Sequence, residues 1–186
     1  MIRFEHVTFG YALQRPILRD FSLTVPEGGR VCLTGPSGQG KTTALRLLLG
    51  LERPRRGTVS VPEGVRFSAV FQEDRLLPWK TVLENAALFS DEGTARRILT
   101  ALGLGDSLDA LPETLSGGMK RRAALGRALA HPFDVLVLDE ALTGLDGDTK
   151  RRCLTAIDEA VGRRTLVLAT HDAEEARVLG AESAAL

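Results

Sequence analysis

The chain has 186 residues, 44% of them apolar, with 24 basic and 24 acidic side chains and a net charge of zero. That length carries one domain with a real core, and the charge balance excludes a bulk nucleic-acid binder, which shows a basic excess. No apolar run nears the ~20 residues that cross a bilayer, Met1-Ile2-Arg3-Phe4-Glu5 lacks the pattern of a secretory signal peptide, and Cys32 and Cys153 show neither metal spacing nor a disulfide framework, so both read as structural thiols of a reducing compartment.

In chain order, Ile2 and Phe4 alternate with Arg3 and Glu5, the period of a half-buried strand. Pro26-Glu27-Gly28-Gly29 and Arg53-Pro54-Arg55-Arg56-Gly57 read as turns. This N-terminal part is expected to give antiparallel strands at an edge of the sheet. Val31-Cys32-Leu33, Val70-Phe71, Val135-Leu136-Val137-Leu138 and Leu166-Val167-Leu168-Ala169 are short, continuously apolar runs, which suit strands buried on both faces. Between them lie helical patterns. Leu45, Leu48 and Leu49 share one face, and Ala124, Leu125, Ala128 and Leu129 share another before the stop at Pro132. Residues ~73 to ~130 read as a helical subdomain with a turn at Gly103-Leu104-Gly105. The fold class is α/β: a mostly parallel core sheet, an antiparallel N-terminal β part and an inserted helical subdomain, in a single domain over residues 1–186.

Gly35-Pro36-Ser37-Gly38-Gln39-Gly40-Lys41-Thr42 fits G-x-x-x-x-G-K-[ST] between an apolar strand and an amphipathic helix, with Thr43 following. Backbone N–H groups can cradle a phosphate only where no side chain blocks the approach, which glycine allows. The helix start offers unpaired N–H groups and a positive dipole end. Lys41 adds a charge toward the β- and γ-phosphates, and the Thr42 hydroxyl can bind Mg²⁺. The predicted ligand is a nucleoside triphosphate.

Val135 to Leu138 ends in Asp139-Glu140, at the end of a strand that would face the ligand crevice of a parallel sheet. Because neighbours in a strand point opposite ways, the two acids are given different work. Asp139 would hold Mg²⁺. Glu140 would polarise an attacking water.

Leu115-Ser116-Gly117-Gly118-Met119, read with these motifs, resembles the ATP-binding subunit of ABC transporters, a P-loop nucleotide-binding cassette. The family order of phosphate loop, glutamine loop, signature, Asp-Glu strand and histidine runs through nearly the whole chain. The resemblance implies that Tyr11 stacks on adenine and that Gln72 reaches Mg²⁺ and senses the membrane partner. It implies that Ser116, Gly117 and Gly118 contact the γ-phosphate held by an opposite subunit. Asp146 would close the loop joining the two sites, and His171 would orient the water of Glu140 and stabilise transferring charge. The cofactors implied are ATP and Mg²⁺. The partners are transmembrane permease subunits, a second ATP-binding subunit (a homodimer) and, through the permease, a substrate-binding protein, with no nucleic acid. The location implied is peripheral, on the cytoplasmic face of a bacterial inner membrane. His6 and His131 match no motif and are given no role.

Three positions depart from the family pattern. Met119 replaces the usual signature glutamine, Arg121 stands where glutamine is common, and Ala141 replaces a proline. Phe71-Gln72-Glu73-Asp74-Arg75-Leu76-Leu77-Pro78-Trp79 resembles the branch serving nitrate, sulfonate and taurine importers. Leu76, Leu77 and Trp79 would then lie near the permease, or else pack the helical core. The family continues past His171 with more strands and a helix. One rival is a soluble ABC-type ATPase of DNA or ribosomes. Only residues 73–115 separate Gln72 from Ser116, which leaves no room for a coiled coil, and one cassette is present rather than two. The other rival is a non-hydrolysing regulatory module, against which Glu140 and His171 argue.

Overall fold

The computed structural model describes residues 1–12 and 15–186. The chain forms two compact units. One comprises Met1–Phe67, Asp134–Asp139 and Arg163–Leu186, the other Ser68–Phe133 and Glu140–Gly162.

In the first unit, β1 (Ile2–Phe9), β2 (Leu18–Val25) and β4 (Arg56–Ser60) make an antiparallel sheet in the order β2-β1-β4. Ile2, Phe4, Val7 and Phe9 are all buried, although Phe4 and Val7 are an odd number of residues apart. A bulge absorbs the mismatch. The register shifts between Phe4 and Val7, and His6 between them is left-handed at φ 51°. These strands form their own sheet rather than an edge of the parallel one, because β1 spends both its edges on β2 and β4. The second expected turn is also shorter, since Arg56 and Gly57 already belong to β4.

The parallel sheet places β6 (Val135–Asp139), β7 (Thr165–Ala169), β3 (Arg30–Thr34) and β8 (Glu182–Ala185) side by side in that order. Every residue of β6 and β7 is buried, which explains their unbroken apolar sequence. Helix α1 (Lys41–Leu48) packs on β6 and β7 through buried Ala44, Leu45, Leu47 and Leu48. Leu49 departs from the expected face. It is the half-buried C-cap, and its N–H donates to Leu45 O. At the entry to β6, Arg66 grips Asp134 with Nε and Nη2 at 3.0 and 2.9 Å, holding that carboxyl at about 2.

After β5 (Phe67–Val70), the second unit holds α2 (Val82–Ala86), α3 (Glu92–Ala101), α4 (Gly117–Ala130) and α5 (Gly147–Val161). Its core is built from Val82, Leu83, Leu99, Leu104, Leu115 and Ala123, with smaller neighbours. Two differences from the sequence reading stand out. Helix α5 belongs to this unit, and residues 73–80 form a loop rather than a helix. Asn85 accounts for much of that loop. Fully buried, it accepts from Leu77 N at 2.8 Å and donates to the carbonyls of Leu77, Lys80 and Thr81 at 2.9–3.1 Å. Leu76 packs against the helical core, whereas Trp79 is 71% exposed. Among the described residues no helix is long and apolar enough to cross a membrane.

Candidate nucleotide site

The register of the parallel sheet assembles the first part of the site. Leu33 and Asp139 both pair with Ala169, so the ends of β3, β6 and β7 lie level. Beyond them follow Gly35, the buried Asp139 carboxylate and His171 at one edge, where parallel sheets place ligands. Gly35 and His171 line one open cleft of about 440 Å³ with Thr34, Thr170 and Arg177.

The phosphate loop wraps the start of α1. Its N-cap, Gly40, is left-handed at φ 103° and offers no side-chain cap, and the first turn has no acid. A Cβ on Gly40 would lie 2.6 Å from Ile17 Cγ2, so this turn tolerates only glycine. Gly38 is also left-handed at φ 82°, with open space where a Cβ would stand, space a ligand can enter. Lys41, only 7% exposed, donates to Gly35 O at 2.7 Å and Pro36 O at 3.2 Å. Two of its three donors thus hold the ammonium over the loop and one remains for a phosphate oxygen. Gln39 N donates to Pro36 O at 3.3 Å, and Ser37 is exposed within the same turn. Thr42 is exposed while Thr43 is buried.

The helix starts sort into two kinds. Asp91, Asp146 and Asp172 each accept from a backbone N–H at the start of α3, α5 and α6 (Ala173–Val178), and each of these first turns carries an acid. Helix α2 carries Glu84 in a capping box. Among the α-helices of the described residues, only α1 and α4 have no acid in the first turn. Those two keep their dipole charge uncompensated for an external anion. At α4 the N-cap is Ser116, whose Oγ accepts from Met119 N at 3.3 Å, and the exposed Gly117 has nothing within 4 Å of a would-be Cβ. Gly118 sits behind it, where a Cβ would touch Leu145.

Tyr11 is 55% exposed, edge-on to Phe9 at 5.2 Å, and its hydroxyl accepts from Arg46 Nη1 at 3.3 Å. It is a presented ring and not a core tyrosine. Nothing local in the sequence marks Arg46 off from other arginines. In the second unit Gln72 Nε2 donates to Glu140 Oε2 at 3.1 Å, bringing together two residues distant in sequence. Glu140 is left-handed at φ 49° and lies outside β6, so strand alternation is not what separates it from Asp139. Asp146 Oδ1 accepts from Thr149 N at 3.0 Å, and the Thr149 backbone and hydroxyl hold its carboxyl below the usual range. It is thus a helix cap as observed. Cys32 and Cys153 are free and buried, and burial pushes both thiols up, Cys153 to about 11.

The donors present suit a hard divalent cation. Thr42 and Asp139 offer oxygen only, and Mg²⁺ takes one or two protein oxygens and completes its shell with water and phosphate. Among the described residues no cluster of three His, Cys, Asp or Glu competes as a metal site.

A family model described as ABC transporter matches residues 18–143. The chain belongs to the ABC transporter family. As an ATP-binding cassette of that family it binds ATP and hydrolyses it to drive transport. It is 43% identical to an aliphatic sulfonates import ATP-binding protein of Paracoccus denitrificans (strain Pd 1222), covering 89% of this chain and 71% of that one. It is 42% identical to a counterpart in Rhodococcus jostii (strain RHA1), covering 88% and 70%. In fold it is similar to a dimeric ATP-binding cassette in a post-hydrolysis state bound to ADP and Pi, with TM-score 0.85, 27% identity and 96% and 91% coverage. An ATP-bound bacterial Atm1-family ABC exporter gives TM-score 0.84 at 27% identity, covering 94% of this chain and 35% of that one.

Proposed function

We propose that this cassette powers the import of a small organic anion of the sulfonate class, working as a peripheral subunit on the cytoplasmic face of the membrane. The observation that carries the catalytic reading is the Gln72–Glu140 hydrogen bond beside a left-handed Glu140 backbone. A carboxylate held in a costly conformation by a directed amide is one whose position matters. The sulfonate class rests on the import proteins named above and on Phe71 to Trp79. In this reading residues 1–186 act as one ATP-binding domain, with ~73–130 as its signature-bearing part.

The residues divide the work as follows. Gly35 to Lys41, with Thr42 and Thr43, hold the phosphates by backbone N–H groups and one ammonium. Thr42, Asp139 and Gln72 would hold Mg²⁺, which when bound neutralises phosphate charge. Glu140 accepts a proton as water oxygen bonds the γ-phosphorus and the bond to the β-phosphate oxygen breaks, leaving ADP and phosphate. His171 donates to the γ-phosphate oxygens and helps orient that water. Tyr11 stacks on the adenine. Ser116, Gly117 and Gly118, at the uncompensated start of α4, take the γ-phosphate of a second copy's ATP, and Asp146 lines the junction. ATP then bridges two copies, and hydrolysis parts them. Two permease subunits and a substrate-binding protein complete the transporter.

The deciding experiment is Mg-ATP hydrolysis over a range of protein concentrations, beside Glu140→Gln. Turnover should rise faster than linearly with protein and fall about 10²–10⁴-fold in the variant. Equal turnover by both proteins would remove Glu140 as base.

A further inference from the structure

The loop carrying Gln72 is bolted to helix α4 by two arginines. Arg121 Nη1 donates to Phe71 O at 3.3 Å, and its Nε lies 3.2 Å from the Asp74 carboxylate. Both side chains are mostly buried, at 19% and 23% exposure. The approach is off the N–H axis and satisfies no hydrogen bond to Asp74 Oδ1, so this contact is an ion pair. Six residues further along α4, Arg127 donates to Arg75 O at 2.8 Å and Asp74 O at 3.2 Å. Three carbonyls of a five-residue segment are therefore taken up by side chains of one helix. The segment needs such holding, because Arg75 is left-handed at φ 45°, which costs a residue with a side chain. Gln72, inside the segment, is the residue that meets Glu140.

We propose that Arg121 and Asp74 form a positioning pair for hydrolysis, fixing Gln72 against Glu140 and tying that contact to the signature helix. The proposal rests on Glu140 as the base. A neutral side chain at 121 would remove the ion-paired guanidinium of the mostly buried Asp74 carboxylate and leave Arg127 as its remaining counter-charge, a loss relieved by moving one of the groups. The group able to move is the loop. Gln72 shifts with it, and a displacement near 1 Å is enough to slow a positioned reaction. Neither side chain belongs to the phosphate loop, so the loss falls on kcat rather than on ATP affinity. Arg121 is also where this chain departs from the commoner glutamine, and Asp74 supplies the charge that the departure needs.

The test compares wild type, Arg121→Gln, Arg121→Lys and Glu140→Gln, reading Mg-ATP turnover and amide exchange of residues 72–75. Arg121→Gln should lose about tenfold in kcat with KM for ATP within about twofold, and its loop amides should exchange at least about tenfold faster. Arg121→Lys, which keeps the charge, should retain most of the rate. Wild-type kcat in Arg121→Gln, unchanged loop exchange, or equal losses in the Lys and Gln variants would each overturn the pairing. Equal rates in wild type and Glu140→Gln would instead overturn the base and with it the positioning role. Loop exchange reads the clamp without any turnover, so the two failures are told apart.

Discussion

Replacing Gly40 by alanine tests the phosphate cradle most directly, and the structure separates two costs within it. The first is conformational: a left-handed residue with a Cβ costs about 1–2 kcal/mol. The second is steric. The new Cβ would sit 2.6 Å from Ile17 Cγ2 and 3.0 Å from Leu18 Cδ2. Overpacking of that kind costs about 1–3 kcal/mol. The sum is about 2–5 kcal/mol, and at 1.4 kcal/mol per factor of ten it should weaken ATP binding at least about 30-fold if the loop relieves the strain by leaving its cradle shape. Gly38→Ala is the control, because Gly38 is also left-handed, at φ 82°, but has nothing within 4 Å of its Cβ. It should bear only the conformational part, about five- to thirtyfold. Titration of a fluorescent ATP analogue measures both, with thermal unfolding beside it. Equal affinities for the two variants, with wild-type melting in each, would refute the view that contact with Ile17 and Leu18 shapes the loop.

Asn85→Ala should destabilise the protein by about 2–4 kcal/mol, since each of several buried hydrogen bonds nets about 1 kcal/mol; denaturant titration reads it, and a loss under 1 kcal/mol would count against the loop anchor. Asp146→Ala should cost about 1 kcal/mol of stability as a lost N-cap, while Asp146→Asn keeps the cap. A drop in turnover for Asp146→Asn at unchanged stability would then identify work at the junction beyond capping. Cys153 titrates near 11 in the folded protein against an ordinary 9.0. A raised folded value stabilises fully below pH ~9 and loses its contribution of about 2–3 kcal/mol as pH climbs through ~11. Denaturant unfolding at pH 8 to 11 should therefore fall more steeply for wild type than for Cys153→Ala, and parallel slopes would remove burial as the cause.

What the sequence made legible was local. A strand buried on both faces must be apolar at every position, so β6 and β7 announce themselves, and a phosphate loop needs glycines at fixed spacing. Strand β8, Glu-Ser-Ala-Ala, carries no such mark: it is mostly exposed and pairs in parallel with β3. The separate N-terminal sheet depends on bulges at His6, whose side chain gives no hint of a left-handed backbone. The loop at 73–80 is apolar enough to read as helix, and only the buried amide of Asn85, eight residues from Leu77, shows why it is not. The membership of helix α5 in the helical unit is a long-range fact that no local period encodes. The same holds for Gln72 meeting Glu140 and for Arg121 meeting Asp74.

At the acid pair the backbone replaces the geometry that strand alternation predicts. Alternation along a strand would separate the work of Asp139 and Glu140. Only Asp139 is in the strand, fully paired in register and 2% exposed. Glu140 has already turned, at φ 49°, into a region that a glycine would enter freely and a glutamate enters at a cost of about 1–3 kcal/mol. A residue chosen for that turn alone would be glycine or asparagine. The carboxylate is therefore present for something other than the turn, and the turn is what frees it from the sheet to accept the Gln72 amide at 3.1 Å. Glu140→Gly should thus stabilise the fold while abolishing hydrolysis. A variant that gained stability and kept its turnover would break the link between this strained backbone and catalysis.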